Sequence, residues 1–155
     1  MGGRAATALL LFAVVILPGM VCGEGRGVVL RLEVLDAEGV TASAFDADEP
    51  VHLRIELVNH GEEEVRLPFS SGKTHDAIVA AAGGAEVWRW SQGRMFPQML
   101  TDIALAPGAS RHFEVVCDPA HSGTKPLVPG HYEAIGVLPV LGSEIRTAPV
   151  PITIR

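Results

Sequence analysis

Val51, Leu53, Ile55 and Leu57 alternate with His52, Arg54 and Glu56 along the segment Val51–Asn59. A period of two places the apolar set on one face of an extended chain and the polar set on the other. This predicts a strand buried on one side only. Val28–Leu35 repeats the pattern, with Leu30, Leu32 and Val34 turned inward and Arg31 and Glu33 outward. Val65, Leu67 and Phe69 alternate again after the turn Asn59-His60-Gly61 and the acidic edge Glu62-Glu63-Glu64. Further strands are predicted at 99–105, 111–117, 131–138 and 150–154, while the small, acidic residues 36–49 read as a loop. Pro107-Gly108, Asp118-Pro119 and Pro129-Gly130 separate these runs, and no amphipathic helix, repeat or second domain interrupts them. Strands recurring about every eight to fifteen residues between Gly and Pro signals predict an antiparallel β-sandwich.

Between the third and fourth of these runs lies a hairpin signal. Gly83-Gly84 separates the strand-like residues 77–82 from 85–90, and both tryptophans, Trp88 and Trp90, sit two residues apart on the second arm. A two-residue loop would set Ala82 opposite Ala85, Val79 opposite Trp88 and Ala77 opposite Trp90. The large rings then cover small partners on a face built for burial.

Around that hairpin stand Phe69, Ser70, Ser71, Gly72, Asp76, Val79, Val87-Trp88-Arg89-Trp90-Ser91, Gly93, Phe96 and Gln98, followed by Pro107-Gly108 and Pro129-Gly130-His131-Tyr132. In order and spacing this pattern resembles the intracellular proteinase inhibitor (BsuPI) family. One departure is His75-Asp76-Ala77, where such sequences commonly carry Tyr-Asp-Phe. The resemblance implies an immunoglobulin-like fold and proteinase inhibition. The expected fold is all-β: an immunoglobulin-like antiparallel β-sandwich of about seven to nine strands, preceded by a signal-peptide helix.

The N-terminus changes the picture of location. Arg4 precedes an uncharged apolar run from Ala5 to Leu17 that Pro18-Gly19 ends, the form of a secretory signal too short for a comfortable membrane span. An uncleaved anchor is the alternative. Val21-Cys22-Gly23 suggests cleavage before Glu24, giving residues 1–23 as signal peptide and 24–155 as one domain. The alternative is a lipid on Cys22, although Val21 is bulky where a lipoprotein signal carries a small residue. Export to the periplasm, the envelope or the medium is the expectation. With Cys22 removed, Cys117 has no disulfide partner, and its place in the apolar run 113–117 reads as a buried, inert thiol.

Charge excludes one class of partner. Removing Arg4 from the 12 Lys and Arg leaves 11 against 18 acids, a net of −7, and no basic stripe suited to nucleic acid is present. No Gly-x-Ser-x-Gly or His-Glu-x-x-His motif appears, so the chain is not expected to be an enzyme. No metal or cofactor is expected, because the six histidines are scattered and His75-Asp76 is the only close ligand pair within the motif.

Protein binding remains. The segment 91–98 carries Arg94, Met95 and Phe96, side chains that primary pockets of serine proteinases accept, ahead of the stiffening Pro97. A second candidate loop runs from Pro119 to Pro129 and holds Lys125. Met95 and Phe96 would equally serve as a plug at one end of the sandwich. Phe69, Ser71, Gly72, Asp76, Trp88, Trp90, Ser91, Gly93 and Tyr132 read as residues of the structural motif, with loop Ser and Asp side chains accepting backbone N–H bonds. The partner expected is another protein, a proteinase by the resemblance. Membrane contact is expected only through the signal segment or a lipid on Cys22. Two other readings stay open: an accessory structural domain of the envelope, and a metal-binding periplasmic sandwich using His75 and Asp76.

Overall fold

A computed structural model describes residues 27–121 and 126–155. The expected signal-peptide helix, the boundary at residue 23, Cys22 and Lys125 lie outside the described residues. Eleven strands are present among them: β1 (Val28–Leu35), β2 (Ala44–Phe45), β3 (Val51–Asn59), β4 (Val65–Phe69), β5 (Asp76–Ala81), β6 (Glu86–Arg89), β7 (Thr101–Leu105), β8 (Ser110–Cys117), β9 (Gly130–Leu138), β10 (Ile145–Arg146) and β11 (Val150–Ile154). The excess over the expected seven to nine comes from β2 and β10, two-residue pairings too short to leave an alternation in the sequence.

The strands form one sheet of order β1-β3-β8, a second of order β2-β11-β9-β5-β6 with β10 beside β9, and the two-stranded ribbon β4-β7. All pairings are antiparallel except β2 with β11. The fold is an all-β sandwich. β3 is its spine, sending Val51 and Leu53 into one apolar cluster with Val79, Trp88, Val115, Ala134 and Ile152. Ile55 and Leu57 enter a second cluster with Leu67, Phe69, Ile103, Phe113 and Leu138. Gly136 lets the sheets approach where these clusters meet, because a Cβ there would lie 2.9 Å from Ile55 Cγ1. Cys117 is buried and free, and burial, with the nearby charge of Asp118, pushes its thiol up to about 12. Such a thiol stays protonated and unreactive.

In the tryptophan hairpin, Val79 faces Trp88 as expected, and Trp90 N–H donates to the Ala77 carbonyl at 2.9 Å. The turn differs. Ala81 bonds Ala85, so the loop has three residues rather than two, and Gly83 and Gly84 both take positive φ. Val87 is the extra residue that returns the register to the tryptophans, a bulge between Val79 and Ala80 on the facing strand.

Candidate functional site

The hairpin register sets Ser91 opposite Asp76, just past the last paired residues. Alternation turns His75, Ala77 and Val79 toward the opposite sheet and Asp76 to the other side. Asp76 nonetheless has no exposed side-chain surface. Its Oδ1 accepts the backbone N–H of Ala77 (2.9 Å) and of Ser91 (3.0 Å). Its Oδ2 accepts the Ser91 hydroxyl (2.7 Å), Lys73 Nζ (2.6 Å) and an Arg89 guanidinium N–H (3.0 Å). Burial alone would raise this carboxyl. Hydrogen bonds from Lys73 and Ser91, the Lys73 charge and the Arg89 hydrogen bond outweigh it and hold Asp76 below the usual carboxylate range. Arg89 is raised in turn, first by its bonds to Glu86 and then by Asp76. Receiving five donors on its two oxygens, Asp76 is the hub of this corner of the sandwich.

On the core-facing side, rings continue outward from the hairpin. His75 stacks on Trp90 and on Phe113 of β8, each with ring centroids 4.7 Å apart and planes 25° from parallel. Arg94 caps the Trp90 ring at 4.7 Å, and Arg111 lies 5.8 Å over Phe113. The sequence Arg94, Trp90, His75, Phe113, Arg111 is thus one continuous pile joining a loop, the edge of one sheet and the edge of the other. At position 75 an imidazole fills a ring position, which accommodates the departure from Tyr noted in the sequence. Burial lowers the His75 pKa, the Asp76 charge raises it and the Arg111 charge lowers it, with a net downward direction.

A pH dependence follows. A folded-state pKa below the ordinary 6.5 means that the unfolded chain takes up the His75 proton first, so stability is full above 6.5 and falls as pH drops from there. The lowered Asp76 carboxyl adds a second loss, beginning only below its ordinary 3.8. Urea midpoints measured from pH 8 to 5 should fall for the parent and stay flatter for His75→Phe. An equal decline in both would remove His75 as the source.

The pile and the hub fix the base of the loop that connects β6 to β7. Ser91 to Arg94 closes a turn (Arg94 N–H to the Ser91 carbonyl, 3.1 Å) with Gly93 at φ 75°. That positive φ is why glycine stands there. Arg94 Nε donates to the Trp90 carbonyl at 2.9 Å, and Phe96 packs on Trp90 with centroids 5.7 Å apart. Gly72 N–H donates to the Pro97 carbonyl at 2.8 Å, and a Cβ on Gly72 would sit 2.9 Å from Pro97 Cδ. Ser71 Oγ accepts the Lys73 N–H at 3.1 Å and so shapes the neighbouring turn.

Against these anchors, Met95 is 98% exposed. Of the two side chains expected to serve as binder or plug, Phe96 turns inward in part and Met95 does not. Arg94 is occupied as a brace. Met99 and Leu100 are 62% and 78% exposed. They lie before β7 rather than in it, contrary to the strand expected from residue 99. Parity carried a signal here: Ile103 and Leu105 point inward, which puts Leu100 with the outward Asp102 and Ala104. The other residues that sequence reasoning missed are Lys73, Arg89, Phe113 and Arg111. Farther away, Tyr132 is buried at the start of β9 and donates its hydroxyl to the Val128 carbonyl at 2.7 Å. Among the described residues no group of three or more His, Cys, Asp or Glu is placed to hold a metal.

Among solved structures, the C-terminal domain of Wzt is similar at 13% identity, covering 84% of this chain and 75% of that one, with a TM-score of 0.55. The Pseudomonas fluorescens alkylpurine DNA glycosylase AlkC, bound to DNA containing an abasic site analogue, matches at 13% identity over 81% of this chain and 30% of that one (TM-score 0.48). A CARDB domain from Pyrococcus furiosus, in complex with di-metal ions, matches at 8% identity over 88% and 95% (TM-score 0.47). At 13% identity the likeness to the Wzt domain is one of fold alone. No curated protein matches the chain.

The profile described as intracellular proteinase inhibitor matches residues 39–142. That description corrects the location expected from the N-terminal run: it points to the cytoplasm rather than to the periplasm, envelope or medium. It also names inhibitors, not enzymes, and implies a proteinase as partner. The hub, the tryptophan hairpin and the loop they anchor all lie within the matched span, and the chain belongs to the intracellular proteinase inhibitor (BsuPI) family.

Proposed function

We propose that this protein inhibits a proteinase through the loop 94–100, with Met95 as the leading side chain. The observation that carries the reading is Met95 standing 98% exposed on a loop anchored on both sides. Trp90, Arg94 and Phe96 hold one side, and the Gly72–Pro97 contact holds the other. A segment already fixed in shape loses little freedom on docking, which favours slow release by a proteinase that binds it like a substrate. An exposed apolar anchor flanked by Met99 and Leu100 supplies contact area of the kind interfaces use. The loop projects from what we read as an immunoglobulin-like sandwich. That reading is supported by the sheet orders, by the parallel pairing of β2 with β11, and by Tyr132, whose bond to a carbonyl four residues upstream resembles a tyrosine corner.

The test is titration of the full chain against a panel of serine and metalloproteinases. Stoichiometric loss of one activity is expected, weakened about a hundredfold by Met95→Asp, or about 2.7 kcal/mol. Val40→Ser, which changes another exposed apolar side chain far from the loop in sequence, should inhibit as the parent does. Inhibition unaffected by Met95→Asp would move the site elsewhere. No inhibition of any member would sink the reading.

A further inference from the structure

We propose that Met95 is an oxidation site through which hydroperoxides switch the inhibitor off, an inference that rests on the function proposed above. The described part of the chain contains two methionines, Met95 and Met99, and both sit exposed on the one loop. At 98% exposure the Met95 side chain stands open to solvent, whereas Met99 at 62% is partly shielded. Cys117, the one thiol among the described residues, has no exposed surface and so does not compete for oxidant. Trp88 is buried, and Trp90 is half-buried, packed against His75, Phe96 and Arg94. The most exposed oxidisable side chain of the described residues is therefore also the leading side chain of the proposed binding loop.

The chemistry is a two-electron oxygen transfer. The Met95 sulfur attacks one peroxide oxygen, the S–O bond forms as the O–O bond breaks, and the sulfur is oxidised to a sulfoxide. The leaving oxygen is reduced and takes the proton of the transferred oxygen, departing as water from hydrogen peroxide or as the alcohol from an organic hydroperoxide. The product is a polar, chiral side chain where an apolar one had been, and methionine sulfoxide reductases reverse it. An apolar proteinase pocket that accepts the thioether must then desolvate an S=O oxygen without a partner.

The experiment treats the full chain with hydrogen peroxide, maps added oxygen by peptide mass, and titrates a susceptible proteinase at each time point. One oxygen is expected at Met95 before Met99, with inhibition falling about tenfold or more in step with it. Methionine sulfoxide reductase should restore the starting value. Met95→Leu, whatever its own affinity, should keep that affinity through the same treatment. Complete sulfoxide at Met95 with inhibition unchanged would overturn the switch while leaving the proposed function standing. An equal loss in Met95→Leu would assign the effect to another residue and also overturn it. Failure of the untreated protein to inhibit any proteinase would remove the proposed function, and this inference with it, even where the sulfoxide forms.

Discussion

Asp76→Ala is expected to lower the unfolding free energy by about 3 to 5 kcal/mol, the range for removing one member of a buried charge pair. The carboxylate it deletes is fully buried and receives five donors. Truncation leaves the Ser91 hydroxyl and the N–H groups of Ala77 and Ser91 without their acceptor, at about 1 to 3 kcal/mol for each that stays dry. It also leaves two cations facing one another. Lys73 and Arg89 each keep 24% side-chain exposure, so water recovers part of their solvation and the lower end of the range is favoured. Arg89 retains Glu86, which limits its share further. Lys73 keeps its hydrogen bond to Ser91 Oγ at 2.9 Å but no carboxylate partner comparable to Glu86, so it bears more of the loss. Urea unfolding measures the effect directly. The pairing also predicts non-additivity: Lys73→Met should cost clearly less in the Asp76→Ala background than in the parent. A change below about 1 kcal/mol for Asp76→Ala would mean that the site relaxes or floods on truncation, and that Asp76 is not the hub described.

Much of that hub is legible in the sequence once the hairpin register is extended. Val79 pairs with Trp88, as the sequence predicts. Extending the same register sets Ser91 opposite Asp76 and brings Arg89, opposite Ile78, onto the diagonal from Asp76. The loop end of the hairpin was not legible. Two consecutive glycines admit either a two-residue turn or the longer one observed, and the bulge at Val87 that reconciles the two leaves no mark in an alternating pattern. The strands with one wet face, β3 above all, are legible because water on one side imposes period two. β5 is buried on both faces, so its run of Ala, Ile and Val could say only that it was interior. His75 shows the other limit. Its contact with Phe113 joins two sheets across a separation in sequence that no local rule spans, so the sequence shows the imidazole only as one of a close ligand pair with Asp76, whereas it is a stacked ring.

Trp90→Ala should produce the second large effect, and on two measurements at once. Loss of a packed indole costs about 3 to 5 kcal/mol when the ring is fully buried, and about 3 is expected here because Trp90 is half-buried. His75 would lose one of its two stacked faces, Phe96 its partner and Arg94 the ring beneath its guanidinium. The Ser91–Arg94 turn and the Gly72–Pro97 contact would remain, so the loop would stay attached but lose its inner wall. Met95 is untouched by the change, yet inhibition should weaken by about tenfold. Each newly freed side chain must be ordered again on docking, at roughly 0.5 to 1.5 kcal/mol apiece. Trp90→Phe keeps a ring between His75 and Arg94 and should recover most of both losses. Both variants are to be assayed well below their unfolding midpoints, so that only folded protein is titrated. If Trp90→Ala loses its stability while its inhibition constant stays at the parent value, the loop docks as well unbraced as braced. Rigidity would then contribute nothing to inhibition, and the affinity would reside in the exposed Met95, Met99 and Leu100 side chains alone.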